Sequence, residues 1–243
     1  IRALLERSPL LPQVACFDTA FHSGAPAVAQ AFALPKAITD RGVRRYGFHG
    51  LSYEYVAHVL PQHDERAARG KTVVLHLGNG SSMCAILDGK SVETTMGFST
   101  ADGLLMGTRT GAIDPGVLIA LMRDEDLESE GLEDLLYRRS GLLGISGLSS
   151  DMRELLASPA AEAAEAVNAY CYQAARYAGS LAVAIGGIDA MVFTGGIGEN
   201  AEPVRQKILA QLSFLGLSAQ NVQVVKANEE LTIARHVLSL LRQ

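Results

Sequence analysis

The sequence predicts an α/β layer fold in which helices flank a mixed sheet. Three observations point there. Short runs rich in Val, Leu and Phe alternate with stretches of helical spacing. A strand–turn–strand pair precedes that alternation, and one long alanine-rich stretch is available to cover a sheet face.

Taken in order, residues 12–22, "PQVACFDTAFH", contain a short apolar strand ending at Asp18. Residues 51–60, "LSYEYVAHVL", have helical spacing, with Ser52 placed to cap the start. "KTVVLHL" (71–77) is a strand, being rich in Val and Leu. "SSMCAILDGKSVETTM" (81–96) is a strand, an Asp88-Gly89 turn and a return strand. "IDPGVLIALMRD" opens a helix with Asp114 as N-cap and Pro115 in the first turn. From Ala160 to about Gly186 the chain reads as one long buried helix. The strand "AMVFT" follows, then a helix around "PVRQKILAQL", a strand "VQVVKA" and a last helix "EELTIARHVLSLL".

Bulk composition narrows the function. Of 243 residues, 48% are hydrophobic and 19% charged, an ordinary globular composition. Net charge is −5 and no run of five or six basic residues occurs, which disfavours nucleic-acid binding. Cys16, Cys84 and Cys171 are far apart and never form a C-x-x-C pair, so reduced thiols are expected and neither a disulfide framework nor a zinc site. The longest apolar stretch, "YAGSLAVAIGGIDAMVF", is broken by glycines and Asp189 and falls short of a membrane span. With no signal peptide at its start, the chain is expected to be cytoplasmic. It begins at Ile1 in mid-helix style, so a fragment is expected.

Several glycine-rich segments carry the functional signal. The P-loop pattern is absent: Gly70-Lys71-Thr72 and Gly89-Lys90-Ser91 supply its tail, but Glu65 and Cys84 occupy the leading glycine position. "GIGENA" (196–201) fits G-x-G-x-x-G/A between a strand and a helix, which is equally a dinucleotide turn or a tight turn with no ligand. "HLGNGSS" (76–82) joins two hairpin strands, where amides and Asn79 can form an anion-binding hollow, or merely a hairpin turn. In "GFSTADGLLMGTRTGAIDPG" (97–116), glycines at 107 and 111 flank Arg109 and could let its guanidinium point inward towards a carboxylate or phosphoryl group. His49, in "RRYGFHG", and Asp18, at a strand end, have structural readings beside functional ones. In "SSDMREL", Asp151 and Glu154 make a capping pair on spacing alone.

As a set, "FDTAFH", "RYGFHG", "HLGNGSS", "MGFSTADGLLMGTRTGAIDPG", "SGLSSDMR", "FTGGIGEN" and "NEELTIAR" resemble, in order, the motifs of the acetate and propionate kinases. The resemblance spans nearly the whole chain. It implies the ribonuclease-H-like, actin-like ATPase fold of the acetate and sugar kinase superfamily, with nucleotide bound between two such domains. On this resemblance, residues 1–22 end the first domain, 23–227 form the second with the nucleotide site, and 228–243 return to the first.

It further implies catalytic roles for Asp18, His49 and Arg109. His49 and Arg109 would stabilise the transferring phosphoryl group, with Arg109 also near the acyl carboxylate. His76, Leu77, Gly78, Asn79 and Gly80 match the phosphate-binding turn. Asp151, Met152 and Arg153, and then Gly196, Ile197, Gly198, Glu199 and Asn200, match segments that hold the nucleotide. Glu229 matches a position associated with Mg²⁺. The implied activity is reversible, Mg²⁺-dependent phosphoryl transfer between ATP and acetate giving acetyl phosphate and ADP, with propionate the alternative acceptor. The implied partners are adenine nucleotide and a small carboxylate, in a homodimer.

Phosphoryl transfer asks for positioning and charge neutralisation rather than a protein nucleophile, and Arg109 with a protonated or donating His49 would serve that need. The two glycine hollows are expected to face each other across a gap and hold opposite ends of one nucleotide. The family's N-terminal phosphate loop and its substrate-binding arginine segment are absent, and the stretch before residue 228 is short. Residues 1–243 alone are therefore expected to be inactive. A dehydrogenase using the 196–201 fingerprint and a non-enzymatic nucleotide-binding module are the readings from other classes.

Overall fold

A computed structural model describes residues 2–242. Its centre is a five-stranded sheet in the order β3-β2-β1-β4-β5, comprising β1 (Lys71–His76), β2 (Ser82–Leu87), β3 (Lys90–Thr94), β4 (Ala190–Thr194) and β5 (Val222–Val224). The first three are antiparallel neighbours; β4 pairs parallel with β1, and β5 parallel with β4. This mixed order is the ribonuclease-H-like arrangement that the resemblance implies. The β2–β3 turn forms because Asp88 and Gly89 both take positive φ, 50° and 71°, matching the twist of the strands it joins.

Strands β1 and β4 are buried on both faces, which explains why they read as continuous apolar runs rather than alternating ones. One face, through Val73, Leu75, Met83, Met191 and Phe193, packs on the long Ala161–Ala184 helix, whose Ala163, Ala166, Tyr170, Ala174 and Ala178 line the contact. Alanines at this spacing let the helix lie close to the sheet. The opposite face, through Val74, Cys84, Ile86 and Val192, packs on Tyr53, Val56 and Leu60 of the Gly50–His63 helix. The last helix, Glu229–Leu241, lies against that same helix, with His236 Nε2 2.9 Å from Glu54 Oε2.

Two local expectations are corrected. Residues 12–17 form no strand; the apolar run Val14–Phe17 is real, but no described strand pairs with it, and a strand exists only through its ladder. Ser52 is not a cap. His49 adopts a left-handed conformation (φ 56°, ψ 25°), so the helix starts at Gly50 and Ser52 is buried within its first turn. By contrast Asp114 caps its helix as expected, accepting from the Gly116 amide at 2.6 Å with Pro115 in the first turn. No described helix is long and apolar enough to cross a membrane.

Candidate active site

The ends of β1 and β4 lie side by side, and the loops that leave them are stitched together by one residue. Leu77 donates its amide to Thr194 O at 2.9 Å, and its carbonyl accepts from the amides of Ile197 (2.8 Å) and Gly198 (3.0 Å). Gly195 has φ 77°, and a Cβ there would stand 2.8 Å from Leu77 O. This glycine is required by the close approach of the two loops, not by a ligand. Gly196 differs: a Cβ there meets nothing within 4 Å.

The two glycine loops therefore abut and form one wall, rather than facing each other across a gap; a Cβ on Gly78 would lie 3.9 Å from the Gly196 amide nitrogen. That wall bounds a cavity of about 530 Å³. Gly78, Asn79, Gly196, Ile197 and Asn200 line one side, and Ser150, Asp151, Met152, Arg153 and Leu156 line another. Ala201 and Pro203 also border it. Ser150, Leu156 and Pro203 were not singled out from the sequence, adjacency to 151–153 and 196–201 being the only signal for them, and Ala201 entered only as the last position of the 196–201 fingerprint.

The hairpin turn is held in shape by Ser81. Its Oγ donates to Gly78 O at 2.9 Å, accepts from the Gly78 amide at 3.2 Å, and lies 2.8 Å from the Tyr170 hydroxyl of the long helix. Asn79 O accepts from the Gly107 amide at 3.1 Å, bringing the 97–116 loop onto the turn. At this junction Arg109 turns inward, its Nη1 donating to Thr100 O at 3.1 Å. A Cβ on Gly80 would stand 3.4 Å from His49 Nε2 and 3.6 Å from Arg109 Nη1, so the bare backbone of Gly80 leaves a space into which both side chains point.

His49 is fixed from three directions. Its ring stacks on His76 with centroids 4.3 Å apart and planes 15° apart, and its Nδ1 lies 2.8 Å from Ser82 Oγ. Its backbone caps the helix, while the next amide, Gly50, donates to Asp18 O at 2.8 Å. Burial, then the charge of Arg109, then His22, lower the His49 pKa to about 4. These causes favour a neutral ring at pH 7, and so the donating form of His49 over the protonated one. His76, held by Ser52 Oγ at 2.8 Å, is lowered to about 3, chiefly by burial and then by His49. His22, buried beneath, bonds Ser91 Oγ (2.8 Å) and Phe48 O (3.0 Å) and so anchors the segment carrying His49.

Asp18 sits close enough to raise the pKa values of His22 and His76 by its charge. It also acts on Glu229, whose carboxyl is pushed up by burial first, then by Asp18 and Glu230. Asp151 caps the Met152–Ala157 helix through the Arg153 amide (2.8 Å) and pairs with the Arg153 guanidinium. Glu154 bonds Ser149 Oγ at 2.5 Å instead of completing a capping box.

Of the expected nucleotide-binding residues, His76, Leu77, Gly80, Gly198 and Glu199 do not line the cavity. Glu199 Oε1 accepts from the amides of Gly195 (3.1 Å) and Ala227 (2.9 Å), tying the glycine loop to the segment that leads into the last helix. The dinucleotide alternative does not fit this local structure: residues Gly195–Asn200 are themselves helical, so their glycines form no pyrophosphate turn ahead of a helix.

A profile of the acetokinase family matches residues 1–237. The chain is 51% identical over 261 aligned residues to an acetate kinase of Rhodopseudomonas palustris, covering 99% of this chain and 66% of that protein. It is 46% identical to an acetate kinase of Rhizobium meliloti, with coverage of 99% and 66%. The chain thus spans just under two thirds of the length of these curated relatives. Among solved structures, the acetate kinase of Porphyromonas gingivalis superposes with a TM-score of 0.93 at 36% identity, covering 99% of this chain and 67% of that one. A propionate kinase from Francisella tularensis gives 0.90 at 37% identity, with coverage of 96% and 66%.

Proposed function

The chain belongs to the acetokinase family, and from that premise we propose that the whole protein transfers a phosphoryl group reversibly between ATP and acetate, giving acetyl phosphate and ADP. The observation that carries this reading is the shared cavity. Both glycine loops line it, and His49 and Arg109 converge on the space beside Gly80 at the end of the same turn. Adenine nucleotide occupies the cavity, with the Asn79–Gly80 end of the His76–Gly80 turn at its phosphates, the Leu77 and Gly78 amides being bonded within the loops, and with Asp151–Arg153 and Gly196–Asn200 along the nucleoside. Glu199 acts at one remove, by holding the loop.

Arg109 supplies the fixed positive charge that the equatorial oxygens need in transfer, and it also meets the acyl carboxylate. His49 serves as a neutral hydrogen-bonding group beside those oxygens. The nucleophile is the substrate carboxylate, which the protein has only to align. Asp18 and Glu229 would hold Mg²⁺. Burial first, and then the charge of Asp18, raise the Glu229 pKa; a bound cation would offset both, and carboxylates are the hard oxygen ligands that Mg²⁺ takes. When bound, the ion neutralises charge on the phosphate oxygens.

Acetate is favoured as acceptor because the curated relatives are acetate kinases; propionate is the second reading, since a single methylene separates the two and a propionate kinase shares the fold. Residues 1–22 and 228–243 are assigned to the neighbouring domain, a reading supported by exposed Leu4, Leu10, Leu11, Leu238 and Leu241. A cytoplasmic homodimer completes the proposal.

The test is a hydroxamate assay for acyl phosphate on the full-length protein, with acetate and propionate compared, beside Arg109→Ala. Turnover that Arg109→Ala lowers by about 3 kcal/mol of transition-state stabilisation supports the reading. Nucleotide binding without turnover would favour a binding module instead, and a rate unchanged by Arg109→Ala would remove its assigned role.

A further inference from the structure

The side chains behind His49 form a sequence of groups whose protons can be counted. Ser82 Oγ lies 2.8 Å from His49 Nδ1 and 2.5 Å from the Tyr53 hydroxyl. Ser82 and Tyr53 are both fully buried, and among the described residues neither hydroxyl bonds any other side chain; the backbone contact of His76 with Tyr53 favours the ionised phenol and so donates to it, offering no acceptor. Tyr53 and Ser82 each carry one hydroxyl proton, and a neutral imidazole carries one on either nitrogen.

Suppose His49 carried its proton on Nδ1. Either Nδ1–H and the Tyr53 O–H would both donate to Ser82, stranding the Ser82 proton, or Ser82 would donate to Tyr53, stranding the Tyr53 proton. Each case leaves a buried donor without an acceptor, which is the costly outcome for a hydroxyl cut off from water. One arrangement gives both hydroxyls and Nδ1 a partner and strands no fully buried donor. Tyr53 donates to Ser82, Ser82 donates to Nδ1, and the imidazole proton sits on Nε2, the nitrogen 3.4 Å from where a Gly80 Cβ would stand and directed to the same space as Arg109 Nη1.

We propose that Tyr53 and Ser82 are positioning residues that hold His49 as the Nε2–H tautomer, so that a neutral imidazole presents a donor to the transferring phosphoryl oxygens. What the donor meets rests on the kinase reading above; the tautomer itself does not. The neutrality that the proton count requires agrees with the lowered His49 pKa. His49 sits immediately before the helix that carries Tyr53, its carbonyl accepting from the Tyr53 amide at 3.0 Å, and both side chains reach Ser82 on β2.

The experiment is nitrogen-15 NMR of histidine-labelled full-length protein at pH 7, with the His49 ring signals assigned by their loss in His49→Gln. The expected result is a bare Nδ1 and a protonated Nε2. Ser82→Ala should mix the two tautomers and lower kcat about tenfold or more, with KM for nucleotide kept within about twofold. Tyr53→Phe should move both readouts the same way by less. A wild-type ring protonated on Nδ1, or a tautomer unmoved by Ser82→Ala, overturns the proposal. If Nε2–H is found but the protein forms no acyl phosphate, the kinase reading fails and the tautomer lock stands.

Discussion

Three buried histidines set the pH behaviour of the site. His22, His49 and His76 have pKa values near 4, 4 and 3 against an ordinary 6.5, each lowered first by burial. Above pH 6.5 neither folded nor unfolded chain protonates these rings. As pH falls, the unfolded chain binds protons first, so stability is lost from about pH 6.5 downwards through the folded pKa values. Three protons at about 1.36 kcal/mol each per pH unit give an upper slope of about 4 kcal/mol per unit near pH 5. Urea unfolding at pH 7, 6 and 5 checks this, and a flat profile would contradict the burial. From the sequence, His49 was legible only as part of a motif set. Its neutrality and its Ser82 and Tyr53 contacts come from β2 and the helix packing together, and no local pattern encodes that.

The elements around the cavity separate two kinds of glycine. Gly195 takes a left-handed backbone against Leu77, so Gly195→Ala should cost about 1–3 kcal/mol and lower Tm, since both the dihedral and the close approach are violated. Gly196 borders the cavity and has open space around its missing Cβ. Gly196→Ala should therefore leave stability within about 0.5 kcal/mol while weakening ADP binding, because the new methyl stands where ligand would lie. Calorimetry with ADP titration reads both; equal losses from the two variants would refute the distinction. The sequence showed "GGIGEN" as one glycine-rich unit, and only the Leu77 contact divides it. The β2–β3 hairpin was legible because Asp88-Gly89 fixes its turn locally. Residues 12–17 were misread because a strand depends on a neighbour that local pattern cannot supply, and Ser52 because a serine ahead of apolar helical spacing looks like a cap until His49 is seen to start the helix earlier.

On the scale of the molecule, a mixed sheet flanked by helices was readable from the sequence, since burial on both faces leaves β1 and β4 continuously apolar; the strand order was not, because it lies in pairings between distant segments. Apolar surface remains exposed on the Pro115–Asp124 helix, at Val117, Ile119 and Met122, and on the long helix at Val183. If these belong to a self-association surface, as the homodimer proposal supposes, the full-length protein should sediment as a dimer at micromolar concentration, and Ile119→Asp should shift it towards monomer. A monomer at all concentrations would remove the dimer from the proposal.

The single carbonyl of Leu77 has a thermodynamic consequence. By gripping two amides of a loop more than a hundred positions further along the chain, it arranges the receptacle before any guest arrives. A visitor then forfeits its own tumbling freedom but need not finance the ordering of its host, so the association should be fast and the heat capacity change modest, as for a rigid mould.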